Sequence, residues 1–207
     1  DMMFRLLRRK GIREEDLSSW AVAGCQEPLI AGKENGNTTN SWLNLPKVLE
    51  LTLNDGCSLL SGRKIGRGTQ ELGYTSREEL YRDLETAFFR QLSAVLPEME
   101  KAANLCTRAV GRWATPFSSL LFGGVESGRD MRDPEHPGTR YNASGCLIHG
   151  LSVVTDSLTA VNHLLSEQPD GADRLLEALR SNFRNDPAFR ARLLAYPKYG
   201  DRDAQSD

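Results

Sequence analysis

Between residues 80 and 105 apolar side chains return at helical spacing without a break: Leu80, Leu84, Ala87, Phe88, Leu92, Val95, Met99, Ala102 and Leu105, with Gln91 on the same stripe. A 3.6-residue period held this long demands one long helix with a single buried face, so the chain must supply other elements to cover it. Ser76-Arg77-Glu78-Glu79 is a capping-box pattern that opens this helix. It is expected to run to about Arg112, with a kink at Pro97.

Shorter helical patterns flank it. One covers 2–10 and stops at Gly11, and 13–17 is a short charged turn leading to the apolar segment 20–23. Ser41 is expected to cap a helix running to about Asp55, whose regular part begins near Pro46. Further helices are expected over 150–166 and 172–183, and a last one from Pro187 to before Pro197. Between them lie long irregular stretches at 28–40, at 56–75 with glycines 56, 62, 66, 68 and 73, and at 123–145. Loops of this length are uncommon in compact domains unless they serve a site or are covered by other chain, which points to a piece of a large α/β enzyme.

Composition narrows the function classes. The 207 residues are 39% hydrophobic and 26% charged, ordinary for a globular protein. A net charge of −2 with mixed signs leaves no electrostatic footprint for nucleic acid or an anionic membrane, and Arg8-Arg9-Lys10 reads as a solvated helix end. No apolar run is long enough to span a bilayer and no signal-peptide pattern opens the chain, so a cytoplasmic setting is expected, free or inside a bacterial microcompartment. Cysteines at 25, 57, 106 and 146 are too dispersed for a zinc knuckle or a disulfide scaffold and read as reduced thiols, and the three histidines make no metal-binding pattern. Gly62-Arg63-Lys64-Ile65-Gly66-Arg67-Gly68 and Ala31-Gly32-Lys33 both lack the spacing of a phosphate loop, and a surface loop is expected at the first.

The chemistry-bearing feature is Gly24-Cys25-Gln26-Glu27-Pro28. In extended backbone, side chains at i and i+2 leave the same face, so the Cys25 thiol and Glu27 carboxylate would meet one cavity. Gly24 permits a bend and Pro28 removes a donor, which favours a loop tip over mid-sheet. A lone cysteine is more often a small buried hydrophobe, and the rest of the chain has to tip the balance. A neighbouring carboxylate opposes thiolate formation, so the pair suits a neutral thiol that exchanges a hydrogen atom while the carboxylate handles a proton.

The same residues resemble a known family. Gly24-Cys25-Gln26-Glu27-Pro28, Gly32-Lys33 and Leu45-Pro46-Lys47-Val48-Leu49-Glu50-Leu51 are similar to the active-site cysteine loop and following helix of glycyl radical enzymes related to pyruvate formate-lyase. Three further blocks follow in family order: Val125-Glu126-Ser127-Gly128-Arg129-Asp130, the stretch 149–160 from His149-Gly150-Leu151, and Pro197-Lys198-Tyr199-Gly200. The resemblance implies an α/β fold, helix-rich with long loops, forming part of a ten-stranded barrel, with 1–207 a fragment of one catalytic domain. The N-terminal half-barrel and the radical-bearing Arg-Val-x-Gly-Tyr segment are not found in this stretch. Apolar faces that pack on those parts are therefore expected to be exposed.

For function, the resemblance implies that Cys25 carries a thiyl radical and Glu27 acts as general base in a radical elimination from a small hydroxylated or aminated substrate. The cofactor would be a protein-derived glycyl radical installed by a separate S-adenosylmethionine radical activase, with no bound metal. A homodimer is implied for the full-length protein. Thr38, Thr39 and Asn40 are short polar groups suited to a substrate hydroxyl, and equally suited to stabilising their own loop. Gln26 replaces the second adjacent cysteine of pyruvate formate-lyase, which disfavours acyl transfer, and stands where dehydratase-like members commonly have Val. Two rivals stay open: carbon–carbon chemistry (decarboxylation or addition to fumarate) and an inactive or split fragment that serves only as a structural partner.

Overall fold

The structure is a computed structural model that describes residues 2–24, 27–36, 40–142 and 145–201. Cys25, Thr38 and Thr39 lie outside the described residues. The chain divides into two compact units, Asp1–Trp42 with Glu100–Leu147, and Leu43–Met99 with Ile148–Asp207.

In the first unit, α1 (Met2–Arg9) leads through a 3-10 turn (Glu14–Ser19) into an antiparallel hairpin of β1 (Trp20–Ala23) and β2 (Glu27–Ile30). The short β3 (Glu34–Asn35) then pairs in parallel with a later strand, Tyr141–Asn142. Residues 28–40 are thus not the plain loop expected: Leu29 and Ile30 pair across to Ala21 and Trp20, and a run this short is invisible to periodicity alone. A small core of Leu7, Ile12, Leu17 and Ile30 sits beneath the hairpin.

The second unit is helical. After β4 (Ser41–Asn44), where the chain passes from one unit to the other, α2 (Leu45–Leu53) begins one turn later than a Ser41 cap requires. The cap is Asn44, whose side chain accepts from the Lys47 N–H at 3.2 Å. Pro46 is tolerated only in a first turn, because its ring would strike the preceding turn of a helix begun at residue 41. Ser76 caps α3 (Arg77–Arg82) as its box predicts, accepting from the Glu79 N–H at 3.2 Å. The long helix is interrupted at Asp83, which leaves helical geometry (φ −122°, ψ 38°) and takes the Tyr74 hydroxyl at 2.8 Å. Past this break α4 (Leu84–Val110) carries Pro97 inside it and continues into the first unit.

Helices α5 (Pro116–Leu121) and α6 (Gly124–Ser127) belong to the first unit, and α6 with β5 (Tyr141–Asn142) gives structure to part of the expected 123–145 loop. Strand β6 (Cys146–His149) pairs with β4 and returns the chain to the second unit. There α7 (Leu151–Glu167), α8 (Gly171–Arg180) and α9 (Pro187–Leu194) fall close to the expected spans. Val48, Leu49, Leu80, Leu84, Phe88, Leu164, Leu176 and Phe189 form the second unit's core. At the start of α7, Gly150 adopts φ +88°, and a Cβ there would lie 2.7 Å from Pro46 Cγ.

The glycine-rich stretch 62–68 is a closed loop. The Arg67 N–H is taken by Gln91, the Gly68 N–H by Glu71, and the Ile65 and Gly66 N–H groups by the Gly56 carbonyl. These backbone donors are spent internally, so the loop presents no nest for an anion. Apolar exposure is heavy in the first unit, where Phe117 is 86% and Val125 70% accessible, in keeping with a segment that packs against more protein.

Candidate active site

The β1–β2 hairpin puts Glu27 at its tip. Four rungs run from Trp20↔Ile30 to Ala23↔Glu27, so Glu27 occupies the last paired position of the hairpin, whose turn starts at Gly24. Gly24 opens that turn with φ +41°, a conformation L side chains rarely adopt, and the bend expected there is present. The Glu27 carboxylate folds back over this glycine: a Cβ on Gly24 would stand 3.0 Å from Glu27 Oε2. Glu27 itself is partly buried, and its Oε2 is shielded from solvent without a hydrogen-bond partner among the described residues. A carboxylate oxygen held in that way is costly unless a ligand or further chain supplies a donor.

At the other end of the hairpin lies a buried charge cluster that sequence reasoning did not single out. Asp16, in the 3-10 turn, is fully buried and ion-pairs through Oδ1 with Lys33. Its Oδ2 accepts from the Tyr141 hydroxyl at 2.5 Å and from Arg140 Nη1 at 3.3 Å. The Lys33 ammonium, the Tyr141 hydroxyl and the Arg140 guanidinium together hold the Asp16 carboxyl well below the usual carboxylate range. Glu34, also buried, accepts from the Ile30 N–H at 2.9 Å and pairs with Lys10 at 3.3 Å. Lys33 belongs to the Gly32-Lys33 block of the family pattern, and that block was the one available signal. The partners of Asp16 stand up to 125 positions away in the chain, a separation that local patterns cannot bridge.

Asn40 is not grouped with Glu27. Its N–H donates to the Gly145 carbonyl at 2.9 Å and its Oδ1 accepts from the Thr107 hydroxyl at 3.2 Å. It lines a polar cavity of about 500 Å³ with Asn35, Asn104, Thr107, Ser118 and Asn142, and Glu27 is not among the lining residues. In the Val125–Asp130 block, Asp130 gathers the Thr115 N–H at 2.6 Å, the Arg132 N–H at 2.8 Å and the Ser119 hydroxyl at 2.9 Å, so it organises its loop. Tyr199, of the last block, donates its N–H to Asp156 on α7 at 2.8 Å. Among the described residues no helix is long and apolar enough to cross a membrane, and no group of three or more His, Cys, Asp or Glu is placed to hold a metal ion.

The chain is similar to known proteins over nearly all of its length. The chain is 31% identical over 208 aligned residues to trans-4-hydroxy-L-proline dehydratase of Clostridioides difficile, covering 97% of this chain and 25% of that protein. Among solved structures it matches the glycerol-bound B12-independent glycerol dehydratase of Clostridium butyricum with a TM-score of 0.78 at 27% identity, over 97% of this chain and 25% of that one. It matches a glycyl radical enzyme of Archaeoglobus fulgidus with a TM-score of 0.77 at 28% identity and the same coverage. The chain therefore spans about a quarter of the length of these relatives, and the helix-rich α/β barrel segment expected from the sequence is the fold they share. The family model described as pyruvate formate lyase-like matches residues 1–207 from end to end, and the chain belongs to that family.

Proposed function

We propose that this chain is the cysteine-loop segment of a glycyl radical lyase that eliminates water from a small hydroxylated substrate. The observation that carries the reading is the solvent-shielded Oε2 of Glu27, unpartnered among the described residues, at the last hairpin rung and two positions from Cys25 in sequence. Likeness to two dehydratases supports the reaction class. The residue pair fits radical chemistry: the Glu27 charge disfavours a thiolate and leaves Cys25 a thiol, whose S–H bond is the one a hydrogen-atom relay uses. The stored glycyl radical, by resemblance carried on a glycine not found in this sequence and installed by an S-adenosylmethionine-dependent activase, supplies the capacity to abstract a hydrogen atom.

The chain's own residues then act in turn. Once its own thiol hydrogen has been given up, the Cys25 sulfur takes a hydrogen atom from a carbon that bears a hydroxyl or an amine and stands near the carbon carrying the leaving hydroxyl, forming S–H and breaking C–H. Glu27 takes a proton from that hydroxyl or amine, which raises electron density on the carbon-centred radical and expels the leaving hydroxyl group. The proton on Glu27 goes to that leaving group, which departs as water, and the product radical recovers its hydrogen atom from Cys25. Atoms and protons balance without an outside acid, so the segment's work is positioning and exclusion of solvent. A homodimer and a dedicated activase as partner belong to the same proposal.

The test uses the full-length protein, activated anaerobically and offered trans-4-hydroxy-L-proline and glycerol. Cys25→Ala is expected to abolish turnover while the glycyl radical signal persists. Glu27→Gln is expected to lower kcat by about 10²- to 10⁴-fold with little change in KM. Turnover that survives Cys25→Ala, or a Glu27→Gln loss shared equally between binding and turnover, overturns the assignment. Formation of a carbon–carbon or decarboxylated product in place of dehydration moves it to the rival chemistry.

A further inference from the structure

We infer that Asp16 is a positioning residue for the hairpin, closing its base through Lys33 so that its register, and with it the aim of Glu27, is held. The inference rests on the function proposed above and adds a residue to it.

Three observations lead there. First, the hairpin is short and poorly specified by apolar packing. Among its described strand residues only Ile30 is fully buried, Val22 is 59% accessible, and Pro28 contributes no backbone donor. Register in such a strand pair is weakly held, and a slip by one residue turns every side chain to the opposite face. Glu27 would then point away from whatever Cys25 meets.

Second, the base is tied by polar contacts that leave little play. Asp16 lies four positions before the first rung and Lys33 three positions after it, so their ion pair links both strands on the chain sides where the hairpin opens. Ala31 donates its N–H to the Ser19 carbonyl at 2.9 Å, and Glu34 takes the Ile30 N–H at 2.9 Å. Third, both Asp16 oxygens are occupied and the residue is wholly buried. Tyr141, which donates its hydroxyl to Asp16, also gives its N–H to the Lys33 carbonyl at 2.9 Å and accepts the Arg13 N–H at 3.1 Å. A carboxylate built so fully into one geometry has no capacity left for substrate, so its effect must pass through the hairpin.

The experiment compares the full-length protein with Asp16→Asn, Lys33→Gln and Tyr141→Phe by amide hydrogen exchange and kinetics, using whichever of trans-4-hydroxy-L-proline and glycerol the parent turns over. Asp16→Asn is expected to speed exchange in residues 20–30 by about tenfold or more while residues 84–99 stay within about twofold. It is expected to lower kcat by about tenfold or more with KM within about threefold and an unchanged glycyl radical content, since small misplacements of reacting groups are costly. Lys33→Gln and Tyr141→Phe each remove one donor to Asp16, and both should show the same pattern in milder form; they carry the test should Asp16→Asn fail to fold. Unchanged exchange over 20–30, unchanged kcat, or loosening shared equally by residues 84–99 overturns the inference. Turnover in Cys25→Ala sinks the proposed function instead. Should the parent turn over neither probe, the exchange pattern alone decides for or against Asp16.

Discussion

The buried side-chain amide of Gln91 grips the backbone of Arg67 twice, accepting its N–H at 2.9 Å and donating to its carbonyl at 2.9 Å. One polar residue on the apolar stripe of α4 thereby anchors the glycine-rich loop to the second unit. Gly66 sits so near that a Cβ on it would come within 2.8 Å of Gln91 Nε2. Gln91→Leu keeps the volume but strands both backbone groups. At roughly 1–3 kcal/mol for each unsatisfied group, a loss of about 2–6 kcal/mol is expected, measured as a lowered denaturant midpoint with an unchanged slope.

Gly150 opens α7 at φ +88° with Pro46 of α2 against it. Gly150→Ala combines a left-handed backbone cost of about 1–2 kcal/mol with overlap against a rigid ring, and a total above about 2 kcal/mol is expected. Thermal unfolding of the full-length variant, set beside Ala172→Gly as a control inside α8, checks whether the penalty exceeds an ordinary helix-propensity change of about 1 kcal/mol.

Asp16 sets an acid limit. Its folded carboxyl is held below the value of 3.8 it has when free, chiefly by Lys33 and then by Tyr141. Below about pH 4 the unfolded chain binds a proton that the folded chain refuses, so this contribution is fully present above that pH and drains away as pH falls further. Denaturation between pH 2 and pH 6 should show stability falling on the acid side, with a shallower fall in Asp16→Asn. An identical acid limb in the two proteins contradicts the assignment.

Gly24 separates stability from function. Alanine there meets strain of about 1–2 kcal/mol at φ +41°, while its contact with Glu27 involves the mobile end of a side chain. Unfolding should change modestly. Turnover of the activated full-length protein should fall by more than about tenfold, because the carboxylate must leave its place over residue 24. Kinetics and a melting curve on one preparation decide it.

Reading the chain in order reaches far where the determinants are local. The Ser76 cap, the start of α9 at Pro187 and the Gly24 bend depend on residues within one turn of each other, and each is found where it is expected. The regular part of α2 begins where Pro46 places it, but the cap is Asn44 rather than Ser41, because Ser41 lies in a strand whose pairing partner is remote in sequence. The apolar period of α4 is read correctly as a helix but not as uniform burial: Phe88 is 4% accessible while Leu105 is 65%.

By itself the sequence determined the family, the helical skeleton and the adjacency of a thiol and a carboxylate, since periodicity, caps and short motifs are written in consecutive residues. Only the tertiary structure decided what stands behind them. It leaves Glu27 Oε2 buried and without a hydrogen-bond partner among the described residues, and it gathers Asp16, Lys33, Arg140 and Tyr141 into one cluster from separate parts of the chain. Ion pairs and buried hydrogen bonds depend on distance in space, and no spacing along the chain encodes that distance.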